Sequence, residues 1–351
     1  MAEMQASHTV ALGGGVLGPL ANLAAGRGLA ALAGRLAELA ALSAGDLAAT
    51  EQSLAALDRG ASVVSLSAHH LLDLGGKRLR PLCVALAARA GEGFGATARE
   101  LAVAVELVHA ATLLHDDVVD LGETRRGAPA ARALYGNAAS IFAGDWLLVE
   151  ALRRVRRAAI PGLLGRLLGV IEEMIFAESE QLEARGRVVP DRAAYFRVVE
   201  GKTAALFRWA LFAGARAGGL PAPTCRALEE YGRHLGIAFQ VVDDILDLRG
   251  DAGVVGKSLL GDLREGKMTF PLIVAVERRP DLAPFVARAA TDSDAAATVV
   301  NALGETEAVE TSLALAAQHV ERARRLLDVL PESRAKAALE TVADAALARD
   351  R

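Results

Sequence analysis

Residues 100 to 120 read ELAVAVELVHAATLLHDDVVD. Apolar positions recur at spacings of three and four up to Leu114, the period of an α-helix, and the run then ends in Asp116, Asp117 and Asp120. The same periodicity fills "LAALAGRLAELAAL" upstream and most of the chain beyond, with the short valine clusters lying inside longer helical periods. Alternating strand-like runs bounded by Asn-Gly or Asp-Gly turns are absent. The expectation is therefore an all-α fold.

Breakers at "LGGKRLRP" (74–81), "AGEGFG" (90–95), "LGETRRGAP" (121–129), "RGRVVPD" (185–191), "RAGGLPAP" (216–223) and "RGDAGVVGKS" (249–258) leave room between them for long helices. No Ser- or Pro-rich linker and no fixed-period repeat divides the chain, which favours one large helical bundle over a solenoid. The bundle is expected over residues 46–351, with residues 1–45 a flexible or partly helical N-terminal extension.

With 351 residues, 52% of them hydrophobic, the chain can bury a large core. Its 39 basic and 43 acidic residues leave a net charge of -4, so it lacks the broad positive field that a nucleic-acid partner requires. Only Cys83 and Cys225 are present, far apart and at no ligand spacing, which argues against a disulfide scaffold or zinc site and fits a cytoplasmic protein. The uncharged segment from Met4 to Gly26 contains five glycines, Pro19 and Asn22, which makes a poor membrane span, and no Lys or Arg precedes it as a secretory signal would require.

The three aspartates carry the chemistry. On a helix, Asp116 and Asp120 stand one turn apart on one face. An isolated D-D-x-x-D is as readily a solvated acidic patch, but "IAFQVVDDILDL" repeats the pattern with Asp243, Asp244 and Asp247. Desolvating unpaired carboxylates costs several kcal/mol each, so two such trios call for a cation. Oxygen donors without His or Cys suit a hard ion, and Mg²⁺ takes one or two carboxylates together with water and substrate phosphate. The implied ligand is a polyphosphate. Cationic complements stand in "GGKRLRP" (Lys77, Arg78, Arg80), "RRG" (Arg125, Arg126), "GKT" (Lys202) and "GKS…REGK" (Lys257, Lys267), although each alone is an ordinary surface charge. "GVVGKS" is not a P-loop, because Asp251 stands where the first glycine belongs and no strand precedes it.

Taken in order, "GGKRLRP", "LLHDDVVD…RRG", "YGNAASIFAGDWLL", "GKTAALF", "GIAFQVVDDILD" and "GKSLLGDLREGKMTFPLI" resemble the trans-polyprenyl diphosphate synthases over roughly residues 46–351. The pattern is nearest the long-chain, octaprenyl or nonaprenyl type. The resemblance implies an isoprenoid-synthase bundle whose two aspartate-rich helices face each other across a deep central cavity. It implies Mg²⁺, three ions per active site, held by Asp116 and Asp120 with Asp117 in support, and by Asp243 assisted by Asp244 and Asp247. It implies an allylic diphosphate at Arg125, Lys202, Thr203, Gln240 and Lys257, and isopentenyl diphosphate at Lys77, Arg80, His109 and Arg126. A lone histidine on an apolar helix is ordinarily a core residue; His109 is read otherwise only because it matches the family's phosphate-contacting position.

The implied reaction is ionisation of the allylic C–O bond, capture of the cation by the isopentenyl double bond, and proton loss to the released pyrophosphate. It is a trans 1'-4 condensation that lengthens the chain by one isoprenoid unit. Helical side chains lean toward the N-terminus, so product length is expected to depend on Ala111, Thr112 and Val108, with Leu107 and Ala104 further down. None is aromatic, which predicts a long product such as a quinone side-chain precursor, with Phe142 or Trp146 as a candidate floor. Two details depart from the family pattern: Glu183 where Gln is common, and "LLGDL", which retains only Asp262 of an acidic pair.

The alternatives are a shorter-chain farnesyl or geranylgeranyl diphosphate synthase, a non-catalytic regulatory subunit, a class I terpene cyclase and a purely structural bundle. A regulatory subunit would have lost aspartates or the "GGKRLRP" lysine, and a cyclase would carry an Asn/Ser/Glu pattern in place of "DDILD". The resemblance further implies a homodimer, with an accessory subunit in some long-chain enzymes and transient membrane contact through the apolar product.

Overall fold

The computed structural model describes residues 30–249 and 260–348. Its long helices are α1 (Ala30–Ala55), α2 (Val63–Asp73), α3 (Leu79–Arg89), α4 (Ala96–Val119), α6 (Asn137–Ala158), α7 (Leu163–Ala184), α9 (Ala205–Ala217), α10 (Ala222–Arg249), α14 (Ser293–Glu305), α15 (Ala308–Leu326) and α16 (Arg334–Ala348). Shorter helices are α5 (Ala131–Tyr135), α8 (Arg192–Val199), α11 (Gly261–Arg264), α12 (Phe270–Arg278) and α13 (Ala283–Arg288). The all-α expectation holds, with one addition: a two-residue hairpin pairs β1 (Thr124–Arg125) with β2 (Ala128–Pro129).

α4 runs through the middle of the bundle. Every residue from Leu101 to Val108 is buried, so the helix is enclosed all round until its last three turns. It packs chiefly on α6, while α10 packs on α9 and α15. Trp209 and Phe207 of α9 and Tyr231 of α10 are the largest fully enclosed side chains, and the Tyr231 hydroxyl donates to Leu339 O of α16 at 2.6 Å. Cys83 and Cys225 are buried and form no disulfide.

α1 crosses residue 46 without a break. Leu32, Leu36, Leu39 and Leu54 are buried along one face, and Arg35 pairs with Asp344 of α16 at 2.8 Å. Asp46 accepts two hydrogen bonds from Arg89 of α3, at 2.5 and 2.8 Å. Residues 30–45 are thus packed helix continuous with the bundle. Arg78, which the sequence groups with the phosphate-directed cations, is instead a buried tie: it is 6% exposed and pairs with Glu51 of α1 and Glu106 of α4, each at 2.5 Å.

Candidate active site

Both acidic trios stand in the last turns of their helices. Asp120 is the C-terminal cap of α4, with its N–H donating to Asp116 O at 2.8 Å, and Asp243 to Asp247 end α10. The carbonyl end of a helix carries partial negative charge, so carboxylates there are disfavoured unless a cation faces them. Asp116 registers this directly: burial, with Glu178 and Asp120 adding to it, pushes its carboxyl up to about 6 against the pull of Lys202 and Arg125.

The cations that face the first trio come from four segments, the hairpin that carries Arg125 among them. Arg185, at the end of α7, pairs with Asp120. Lys267 lies 3.7 Å from Asp120 and 3.6 Å from Asp262, bridging the two acidic regions. Lys202 pairs with Glu178 and donates to Gln181 Oε1 at 2.9 Å. Glu178 and Gln181 share a face of α7 at i and i+3, whereas Glu183 is exposed and accepts from Ser179 at 3.3 Å. The residues of this helix that reach the site are therefore Glu178 and Gln181, and the departure expected at Glu183 falls away from it.

Lys202 and Thr203 lie in a single π turn, Glu200–Ala204, wedged between α7 and α10. Glycine makes the wedge possible. A Cβ at Gly201 would lie 2.7 Å from Ala177 Cβ on α7, and one at Gly236 would lie 2.5 Å from Ala204 Cα. π turns inside helices frequently mark functional sites. Here the turn directs Thr203 Oγ1 onto Gln240 Oε1 at 2.7 Å, and Gln240 Nε2 donates in turn to Asp244 Oδ1 at 2.9 Å.

In the second trio, Asp243 and Asp247 are half-buried while Asp244 is 3% exposed. Burial, with Asp262 and Asp243 nearby, pushes Asp244 up to about 8, although hydrogen bonds from Gln240 and Tyr195 oppose the rise. Asp247 accepts from the N–H groups of Gly261 and Asp262 at 3.1 and 3.0 Å, so Asp262 of "LLGDL" closes onto the trio. Lys257 lies outside the described residues.

The hairpin sends its two adjacent arginines apart. Arg126 and Gly127 form the turn, both with positive φ (55° and 78°), the conformation that a two-residue hairpin demands. Arg125 points back to Asp117, its Nε 2.9 Å from Oδ1. Asp117 is 1% exposed, and its Oδ2 has no hydrogen-bond partner. Arg126 lies over Gly76, where a Cβ would meet its guanidinium at 2.9 Å.

Arg126 thereby joins Arg80 and His109 in a second cationic pocket. Arg80 stacks on the Phe207 ring, 4.7 Å from its centroid, and burial lowers its basicity, as it does that of Arg126. His109 is held well below the usual histidine range by burial and by Arg80, Arg126, Arg125 and Arg78. Glu106, 2% exposed, is the buried counter-charge beneath these groups. Lys77 is exposed in the loop before α3. A neutral imidazole among guanidiniums is suited to receive an anion.

The expected chain-length positions separate. His109, Thr112, Leu113 and Asp116 form the partly accessible stripe of α4, while Val108 and Ala111 have no exposed surface. Thr112 Oγ1 is turned onto His109 O at 2.8 Å. Phe142 is 59% exposed on the outer surface and so cannot be a cavity floor within this chain. Trp146 packs on the His69 ring, 6.0 Å between centroids.

The donor set fits Mg²⁺. Among the described residues no three His, Cys, Asp or Glu side chains form a ready metal cage. Carboxylate oxygens without His or Cys suit a hard ion, one that takes one or two carboxylates and completes its shell with water and phosphate oxygens. The unsatisfied Asp117 Oδ2 and Glu178 Oε1 and the raised Asp116 carboxyl are the features a cation would relieve.

Comparisons with known proteins find similarity over most of the chain. Residues 61–306 match the polyprenyl synthetase family model. The chain is 36% identical over 300 residues to heptaprenyl diphosphate synthase component 2 of Geobacillus stearothermophilus, covering 85% of this chain and 94% of that one. It is 34% identical to octaprenyl diphosphate synthase of Escherichia coli, covering 88% and 98%. A crystal structure of polyprenyl synthase from Caulobacter crescentus, complexed with calcium and isoprenyl diphosphate, superposes with a TM-score of 0.85 at 34% identity, covering 90% and 98%.

Proposed function

The chain belongs to the polyprenyl synthetase family, and we propose that it condenses isopentenyl diphosphate with an allylic diphosphate, 1'-4 and trans, to a long-chain polyprenyl diphosphate of the kind that serves as a quinone side chain. The observation that carries the reading is the first carboxylate trio facing Lys202, Arg185 and Lys267, with Lys267 also reaching Asp262 next to the second trio, beside a separate group of Arg80, Arg126 and His109. Two anion-binding sites of different make-up suit two diphosphates in different roles.

In this reading Asp116 and Asp120 on one side, and Asp243 and Asp247 on the other, hold Mg²⁺, three ions in all, with Asp117 and Asp244 in support. Bound there, Mg²⁺ neutralises charge on the departing pyrophosphate. Lys202, Thr203, Gln240 and Arg125, with Lys257, orient the allylic diphosphate. The cationic side chains stabilise the negative charge that develops as the C–O bond breaks. Arg80, Arg126, His109 and Lys77 hold isopentenyl diphosphate with its double bond toward the allylic carbon. The apolar walls of α4 and α9 exclude the water that would trap the cation. The proton leaves to the released pyrophosphate.

The enzyme acts in the cytoplasm as a homodimer in this reading, with transient membrane contact through its product. Exposed apolar residues at heptad spacing support the dimer: Phe142 and Val149 on α6, and Leu168, Ile175 and Leu182 on α7, with Phe176 beside them. Among the described residues no helix is long and apolar enough to cross a membrane. The decisive experiment is incubation with farnesyl diphosphate, isopentenyl diphosphate and Mg²⁺, with chromatographic sizing of the products. Long prenyl chains are expected; no elongation with any primer or divalent metal would overturn the proposal.

A further inference from the structure

The second acidic trio and the Lys202–Thr203 turn belong to different elements, and one side chain ties them together. Tyr195 of α8 is 8% exposed and donates its hydroxyl proton to Asp244 Oδ2 at 2.7 Å. The other Asp244 oxygen takes Gln240 Nε2, and Gln240 Oε1 takes the Thr203 hydroxyl. Tyr195 and Thr203 are joined covalently through the end of α8 and the π turn, so the chain of hydrogen bonds closes into a ring. Both oxygens of buried Asp244 are engaged by side-chain donors, while Asp243 and Asp247 are half-buried on the more accessible face of α10, with Asp247 accepting from the backbone N–H groups of Gly261 and Asp262. The tyrosine ring is itself clamped, its centroid 5.5 Å from those of Phe196 and Phe270, and Phe270 follows Lys267 by three residues.

We propose that Tyr195 is a positioning residue for the reaction proposed above: by fixing Asp244 it holds the Lys202–Thr203 turn in register with Asp243 and Asp247. The inference rests on that functional reading and deepens it. Tyr195 touches neither substrate. Its hydroxyl determines how tightly the allylic diphosphate and its Mg²⁺ are gripped, and it leaves the isopentenyl pocket of Arg80, Arg126 and His109 untouched. If the hydroxyl is removed, Asp244 Oδ2 is buried without a donor and the aspartate can turn toward the site.

The test is Tyr195→Phe, which keeps the ring and its packing. The direct readout is the calorimetric affinity of the protein for inorganic pyrophosphate in Mg²⁺, alongside KM for each substrate. Pyrophosphate Kd and allylic KM are expected to rise together by roughly tenfold, the upper range for the loss of one hydrogen bond, with isopentenyl KM unchanged. An unchanged pyrophosphate Kd, or equal rises in both KM values, would overturn the inference. Asp244→Asn supplies a second background, in which adding Tyr195→Phe should cost nothing further; full additivity would count equally against the inference. Wild-type protein that neither binds pyrophosphate with Mg²⁺ nor elongates would overturn the site reading and this inference with it. Wild-type protein that does both, while Tyr195→Phe matches it, overturns the role of Tyr195 alone.

Discussion

Glu106→Gln should be the most damaging isosteric change in the bundle. The Arg78 and Glu106 side chains are 5% and 3% exposed and 2.5 Å apart, and Glu106 is also the buried counter-charge facing Arg80 and Arg126. Removing one partner of a buried ion pair leaves an uncompensated charge and costs about 3–5 kcal/mol. Glu51 still faces Arg78, so the lower end, ~3 kcal/mol, is expected. The Glu51 side chain is 36% exposed, and Glu51→Gln should cost no more than ~1 kcal/mol. Urea unfolding followed by circular dichroism at one fixed protein concentration measures both. Adding Arg78→Met to Glu106→Gln should restore part of the loss, because the stranded guanidinium is gone. If Glu106→Gln cost under ~1 kcal/mol, or no more than Glu51→Gln, the claim that Glu106 is the buried counter-charge would fail.

Three further outcomes are expected. Thr112→Phe, on the accessible stripe of α4, should shorten the products while preserving condensation, whereas Ala111→Phe, at a fully enclosed position, should also lower stability by about 1–3 kcal/mol through overpacking; product sizing and thermal melts separate the two. His319, whose Nδ1 is 2.9 Å from that of His234, is held down at about 4 by burial, with His234, Arg322 and Arg233 adding to it, while Glu230 and Glu200 pull His234 the other way. Its folded-state affinity for a proton is thus below the unfolded value of 6.5, so this contribution is intact above pH 6.5 and lost as pH falls toward 4. A loss of ~2 kcal/mol after discounting for solvent screening should appear in urea titrations across that window, and should shrink in His319→Gln. Gly144→Ala would place a Cβ 2.2 Å from His115 Nε2, displacing the ring next to Asp116; kcat should fall, and His115→Ala should rescue part of the loss if the notch is what holds the turn.

Much of the site could be read from the chain because it is built from short local patterns. The helical period up to Leu114, the i and i+4 spacing of each aspartate pair and the breakers between helices depend only on neighbours in sequence. Glu178 and Gln181 were harder to find. Their segment, Glu178 to Glu183, offers five polar or charged residues broken by Leu182, and only the helical phase of α7 against the π turn selects the pair that meets Lys202. Arg78 could not be told from Arg80 by composition, since both stand in "GGKRLRP". Arg78 turns inward to Glu51 and Glu106, and Arg80 lies over Phe207, because α1, α4 and α9 stand around that loop.

The sequence by itself determined the all-α class and the family pattern, and it singled out the two acidic trios on which the proposed function rests. Periodicity and charge density are properties of short segments and survive without tertiary information. The tertiary structure decided what the aspartates are tied to: Asp117 to Arg125, Asp244 to Tyr195 and Gln240, and Asp247 to the N–H groups of Gly261 and Asp262. It also decided that Thr112, and not Ala111, borders the accessible face of α4. Burial and hydrogen-bond partners depend on which distant helices enclose a position, and those contacts exist only once the bundle has formed.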